Sequence, residues 1–221
     1  MKVTDTTFQV NERDDKVSSD NQTIVVFGVR RGGTTAVARI VQELGINIGS
    51  NLSNNLEDTD FRISRGLEAI RQTVDARNTE FASWGWKHPQ PYKYLPDLIP
   101  QLRNPKFIFV TRDLTANALG IGTRENIPFE GAVENAQGLA KRGMSLIKAH
   151  EIPALFVSYE KLLVKTESSI QEIASFLEVT PKTARISEIA LLISPGRYRQ
   201  MAKKLSVRQK LIETVRLWAQ D

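Results

Sequence analysis

The feature that most limits how this chain can fold is a short apolar run, Thr23, Ile24, Val25, Val26 and Phe27. Gly28 closes it, and Val29-Arg30-Arg31-Gly32-Gly33-Thr34-Thr35 follow at once. A continuous, largely β-branched run of this length reads as a strand buried on both faces. Val37, Ile40, Val41 and Leu44 then recur at helical spacing over 35–44, with Gly45 as a natural stop. A buried strand, a glycine-rich turn and an amphipathic helix in that order bring backbone N–H groups and the positive end of a helix dipole to one point. Such a point binds an oxyanion, a phosphate above all.

The rest of the chain repeats the alternation. Residues 83–87, 106–111 and 154–158 read as strands. Helices are expected with Phe61, Leu67, Ile70 and Val74 on one face, from about Pro96, over 130–150, around Ile170 to Leu177, around Ile186 to Leu192, and over 207–218. The stretch before 130 carries several glycines and reads as a loop. Strands alternating with helices predict an α/β fold, a parallel sheet with helices on both faces. No repeat and no Gly-, Ser- or Pro-rich linker interrupts the pattern, so 23–221 is expected to be one domain. Residues 1–22 are polar and charged and read as a flexible leader.

In sheets of this kind ligands bind beyond the carboxyl ends of the strands. That rule selects the Gly28–Thr35 turn, Lys87-His88, Arg112-Asp113 and Tyr159-Glu160. His88 suits a general base, because imidazole titrates near neutrality. Glu57, Asp58 and Asp60 are reserve candidates for the same task. Trp84 and Trp86, two apart on a strand, share one face and are expected in the core.

Composition narrows the chemistry. The formal net charge is +5, which suits an anionic ligand, yet no basic block stands out and no nucleic-acid partner is expected. The absence of cysteine excludes disulfides and thiolate metal sites and points to the cytoplasm. No apolar run reaches the roughly 20 residues of a membrane span. The glycine spacing of the turn matches G-x-x-x-x-G-K-[ST], but Thr34 stands where the lysine would be. Arg112 follows the 106–111 strand where a magnesium-dependent enzyme would want a carboxylate, and a guanidinium is a partner for phosphate. No metal is expected. A kinase-like phosphotransferase and a nucleotide-binding protein without catalysis both stay open at this point.

Four landmarks in order, Arg31-Gly32-Gly33-Thr34-Thr35, Lys87-His88-Pro89, Thr111-Arg112-Asp113 and Tyr159-Glu160-Lys161-Leu162, make the chain resemble the sulfotransferases that use 3′-phosphoadenosine-5′-phosphosulfate. The resemblance covers about 23–179. It implies a three-layer sandwich like that of P-loop nucleoside-triphosphate hydrolases, and sulfuryl transfer from that donor to a hydroxyl of a sugar or small metabolite. It also implies roles. Arg30, Arg31, Gly32, Gly33, Thr34 and Thr35 would hold the 5′-phosphate and sulfuryl end, with Arg31 neutralising the departing oxygen. Arg112 would hold the 3′-phosphate, His88 would take the acceptor proton, and Tyr159 would touch the adenine. Departures from the family pattern are plain. A serine that shares the 3′-phosphate falls at Gly120, and the family's C-terminal Arg-Lys-Gly clamp is missing, with Arg197 or Arg199 as substitutes.

Overall fold

A computed structural model describes residues 1–12 and 21–193. Six strands form one mixed sheet: β1 Lys2–Val3, β2 Thr7–Val10, β3 Gln22–Gly28, β4 Ser83–Lys87, β5 Lys106–Thr111 and β6 Ala154–Ser158. Their order is β1-β2-β6-β5-β3-β4. The four strands β6, β5, β3 and β4 run parallel, as expected, and β1 and β2 add an antiparallel edge.

The period of two in each central strand divides the core between the faces. Ile24 and Val26 of β3, with Ile108, Val110, Leu155 and Val157, pack beneath α1 (Thr34–Glu43), α6 (Tyr159–Val164), α7 (Thr166–Phe176) and α8 (Thr183–Ile193). Val25 and Phe27, with Trp84, Trp86, Phe107 and Phe109, pack on the other face. There α2 (Leu67–Glu80), α3 (Leu95–Leu98) and the end of α5 (Phe129–His150) cover them. Burial on both faces explains why these strands are continuous apolar runs rather than alternating ones. Trp84 and Trp86 lie wholly in the core. Phe61 stacks on Trp86 with ring centroids 4.2 Å apart, and the two indole N–H groups donate to Asn78 and Tyr94.

The structure corrects two expectations. The stretch after β5 is the helix α4 (Leu114–Glu125), not a loop. Asp113 caps it by accepting from the Ala116 N–H at 2.8 Å, and it packs against α5 through Ala118, Ile121, Ala132 and Ala136. Tertiary contact outweighs the helix penalty of Gly120 and Gly122. Residues 1–12, expected to be part of a flexible segment, pack onto the sheet instead. β2 pairs with β6 from Thr7↔Val157 to Val10↔Ala154, and Phe8 stacks on Phe156. The Glu172 carboxylate on α7 accepts hydrogen bonds from Thr4 and Thr6, which hold its pKa below the usual range. The helix expected over 207–218 and Arg197 lie outside the described residues. No helix among the described residues is long and apolar enough to cross a membrane.

Candidate active site

β3 ends in a turn that only its glycines permit. A Cβ on Gly28 would lie 2.2 Å from the Val110 carbonyl oxygen of the neighbouring strand. At Gly32 it would lie 2.6 Å from the Val29 carbonyl, which accepts the Gly32 N–H in a tight turn. Gly33 is the N-cap of α1 with φ 91°, a left-handed conformation that suits glycine, and its Cα rests against the Tyr159 ring. No side chain caps α1 and no acidic residue occupies its first turn, so its positive end opens onto solvent space.

That space is a cleft of about 540 Å³ at the carboxyl ends of the parallel strands. Gly33, Thr34 and Thr35 form its floor. Five cations, Arg30, Arg31, Lys87, Arg112 and Arg124, face two carboxylates, Glu57 and Glu125. The surplus of positive charge marks it as an anion site.

The cations are placed by different elements. Arg31 belongs to the turn and has φ 63°. Arg112 follows β5 and donates from Nη1 to the Arg31 carbonyl at 2.9 Å; its guanidinium lies 5.3 Å from the Tyr159 ring centre. Tyr159 is thus held between Gly33 and Arg112, which fixes the glycine turn and the end of β5 relative to each other. Arg30 pairs with Glu125 at 2.6 Å, and Asn117 of α4 donates to the Arg30 carbonyl, so the turn is tied to α4 twice.

Lys87 ends β4 with 2% of its side chain exposed, and its ammonium donates to Glu57 at 2.9 Å. Burial lowers its pKa, an effect that Glu57 opposes. The Asn55 carbonyl accepts from both Lys87 Nζ and Thr35 Oγ1, each at 3.2 Å. One oxygen therefore joins the 51–58 loop to the start of α1 and to the end of β4. Below the loop, Asp58 is fully buried and ion-paired with Arg77, whose guanidinium lies 5.1 Å from the Phe61 ring centre. Asp60 also faces Arg77 and pairs with Arg65 at 3.2 Å. Burial raises the Asp58 pKa against the pull of Arg77. Asp58 and Asp60 thus anchor the loop, while Glu57 reaches the cleft.

His88 does not line the cleft. It follows the core-facing parity of Trp84 and Trp86, meets Tyr94 edge-on at 5.8 Å, and its Nδ1 accepts the Gln90 N–H at 3.1 Å. Burial lowers its pKa from 6.5 to about 4. Protonation is therefore easier in the unfolded chain, and stability present above pH 6.5 should decline as pH falls from 6.5 towards 4. His88→Asn should flatten that part of the stability–pH curve; an unchanged slope in chemical denaturation would refute the assignment.

Of the other expected contacts, Arg30, Arg31, Gly33, Thr34, Thr35, Arg112 and Tyr159 line one cleft. Gly32 shapes the turn from below, and Gly120 packs against Arg31. Lys87 was selected by its place at a strand end but given no role, and Arg124 was not singled out; both line the cleft. The signal for Lys87 was available: if Trp84 and Trp86 face the core, Lys87 must take the opposite face, toward the start of α1.

No protein-family model matches the chain, and no curated protein matches it. Solved structures do. Mouse sulfotransferase SULT7A1, complexed with PAP, superposes with a TM-score of 0.57 over 80% of this chain and 66% of its own, at 17% identity. The sulfotransferase domain of the Synechococcus PCC 7002 olefin synthase superposes with a TM-score of 0.54 over 86% of both chains, at 13% identity. The fold is that of the sulfotransferases. Retinol dehydratase, solved with androsterone and PAP, has a TM-score of 0.53 at 15% identity, over 80% of this chain and 65% of its own. The chain thus spans just under two thirds of the mouse enzyme and of retinol dehydratase.

Proposed function

We propose that this chain is an enzyme that moves a sulfuryl group from 3′-phosphoadenosine-5′-phosphosulfate to a hydroxyl group on a small molecule or carbohydrate. The observation that carries the reading is the cleft: a glycine turn and an uncapped helix start ringed by cations, with one carboxylate, Glu57, held among them by Lys87. The residues fit the donor. Gly33, Thr34 and Thr35 offer first-turn N–H groups to its 5′-phosphate, and Arg112 offers a planar guanidinium to its second phosphate.

In the transfer the acceptor oxygen bonds to sulfur as the bond from sulfur to the bridging oxygen breaks. The acceptor proton passes to a base, and negative charge grows on the departing nucleotide phosphate. Glu57 is the base in this reading, because it lines the cleft and His88 does not. In this reading Lys87 and Arg31, which line the same cleft, supply the cations that the growing charge needs. The donor is a phosphosulfate anhydride, and these cations assist the departure of its nucleotide phosphate, so the reading invokes no metal.

Binding comes first in the test. Adenosine 3′,5′-bisphosphate should bind more tightly than adenosine 5′-monophosphate by calorimetry in EDTA, and Arg112→Ala should cost on the order of 2 kcal/mol of that binding. Equal affinity for the two nucleotides would overturn the donor assignment, as would a requirement for magnesium. Arg31→Ala should lower turnover by a larger factor than it weakens bisphosphate binding, since the charge it meets develops only during transfer. Equal factors would make Arg31 an anchor.

A further inference from the structure

Gly120 sits in the middle of α4, where glycine is unfavourable by about 1 kcal/mol relative to alanine. A reason lies across from it. A Cβ at Gly120 would stand 3.1 Å from Arg31 Cβ and 3.4 Å from its Cγ, so the Arg31 side chain occupies the room a residue here would need. Gly120 has no side chain to offer a ligand.

The next residue on that face is Arg124, one turn later. Side chains on a helix lean toward its N-terminus and cover the turn before their own Cα. By that rule Arg124 leaves α4 on the Gly120 side, where Arg31 packs, and the Arg31 carbonyl accepts from Arg112 at 2.9 Å. All three arginines line the same cleft. The neighbouring carboxylate, Glu125, is committed to Arg30 at 2.6 Å, and Arg124 has no ion pair among the described residues. The geometry points to Arg124 as the partner of Arg112 in reading the second phosphate of the nucleotide, with Gly120 kept small so that Arg31 and Arg124 can pass over α4 together. This assignment rests on the donor reading above.

A plain alternative exists, that Arg124 merely complements the negative end of α4. Calorimetry on the full chain separates the two. Arg124→Gln should weaken adenosine 3′,5′-bisphosphate about tenfold or more, the scale of a lost charge-assisted hydrogen bond, and change adenosine 5′-monophosphate by less than about twofold. Arg124→Lys should restore part of the difference. A helix-end role predicts instead a lowered melting temperature with both affinities kept, and that result overturns the assignment. So does an equal loss for both nucleotides, which would make Arg124 a source of general attraction. If the unsubstituted protein binds the two nucleotides equally, the donor reading falls and this assignment with it. If it discriminates but Arg124→Gln discriminates as well, only this assignment falls.

Discussion

Glu57→Gln should reduce turnover by about 10²–10⁴ while leaving adenosine 3′,5′-bisphosphate affinity within about twofold, the pattern of a lost general base. His88→Asn should keep near-normal turnover per folded molecule. The contrast follows from where the two side chains point. Glu57 faces the cleft on a loop anchored from below, and Lys87 holds its carboxylate at 2.9 Å. His88 turns toward Tyr94, with one ring nitrogen already accepting a backbone N–H. Glutamine can still accept a hydrogen bond from Lys87, so the substitution removes the basic oxygen without stripping the buried ammonium of its partner. Bisphosphate release in the presence of a panel of hydroxyl acceptors gives the turnover. A large loss in His88→Asn with little in Glu57→Gln would reverse the assignment.

The second large effect is on stability. Asp58→Ala should destabilise the fold by about 3–5 kcal/mol, because it leaves the Arg77 guanidinium buried without its main counter-charge. For a chain of this size that is a fall of roughly 10 °C in melting temperature. Asp60 lies 3.7 Å from Arg77 and can replace only part of the pairing. The double variant Asp58→Ala, Arg77→Met should recover much of the loss, since it removes both charges and leaves an apolar side chain near Phe61 and Trp84. If the double variant were as unstable as the single one, the loss would come from the Gly49–Asp58 contact and loop packing rather than from a stranded charge.

Much of the central fold was legible because burial on both faces leaves a simple signature. The runs at β3, β5 and β6 are apolar without interruption, and the rule that parallel strands bind ligands at their carboxyl ends led directly to Gly33, Thr34, Thr35 and Arg112. α4 was hidden because Gly120 and Gly122 read as loop, although the Asp113 cap was present in the sequence. The hairpin of β1 and β2 was hidden for another reason: it is short, polar and at the edge. Its place depends on Phe156 and Glu172, more than 140 residues away, which no local pattern reveals. At the site, each side chain near a strand end was nameable, but which of Lys87 and His88 entered the cleft depended on strand parity carried past the last ladder residue. Arg124 depended on how α4 lies against the turn.

The Asn55 carbonyl, shared by Thr35 and Lys87, limits how this protein can be re-engineered. The 51–58 loop carries Glu57 into the cleft, which makes it an obvious segment to exchange in pursuit of a new acceptor. Yet the same loop supplies the oxygen that steadies the first turn of α1, where the nucleotide phosphate is expected to bind. A graft that moves this backbone would shift the first-turn amides of α1 and the Lys87 ammonium together. Acceptor preference and donor affinity would then drift as linked traits. Side-chain changes within the loop that leave the Asn55 backbone in place are the route by which one can be altered without the other.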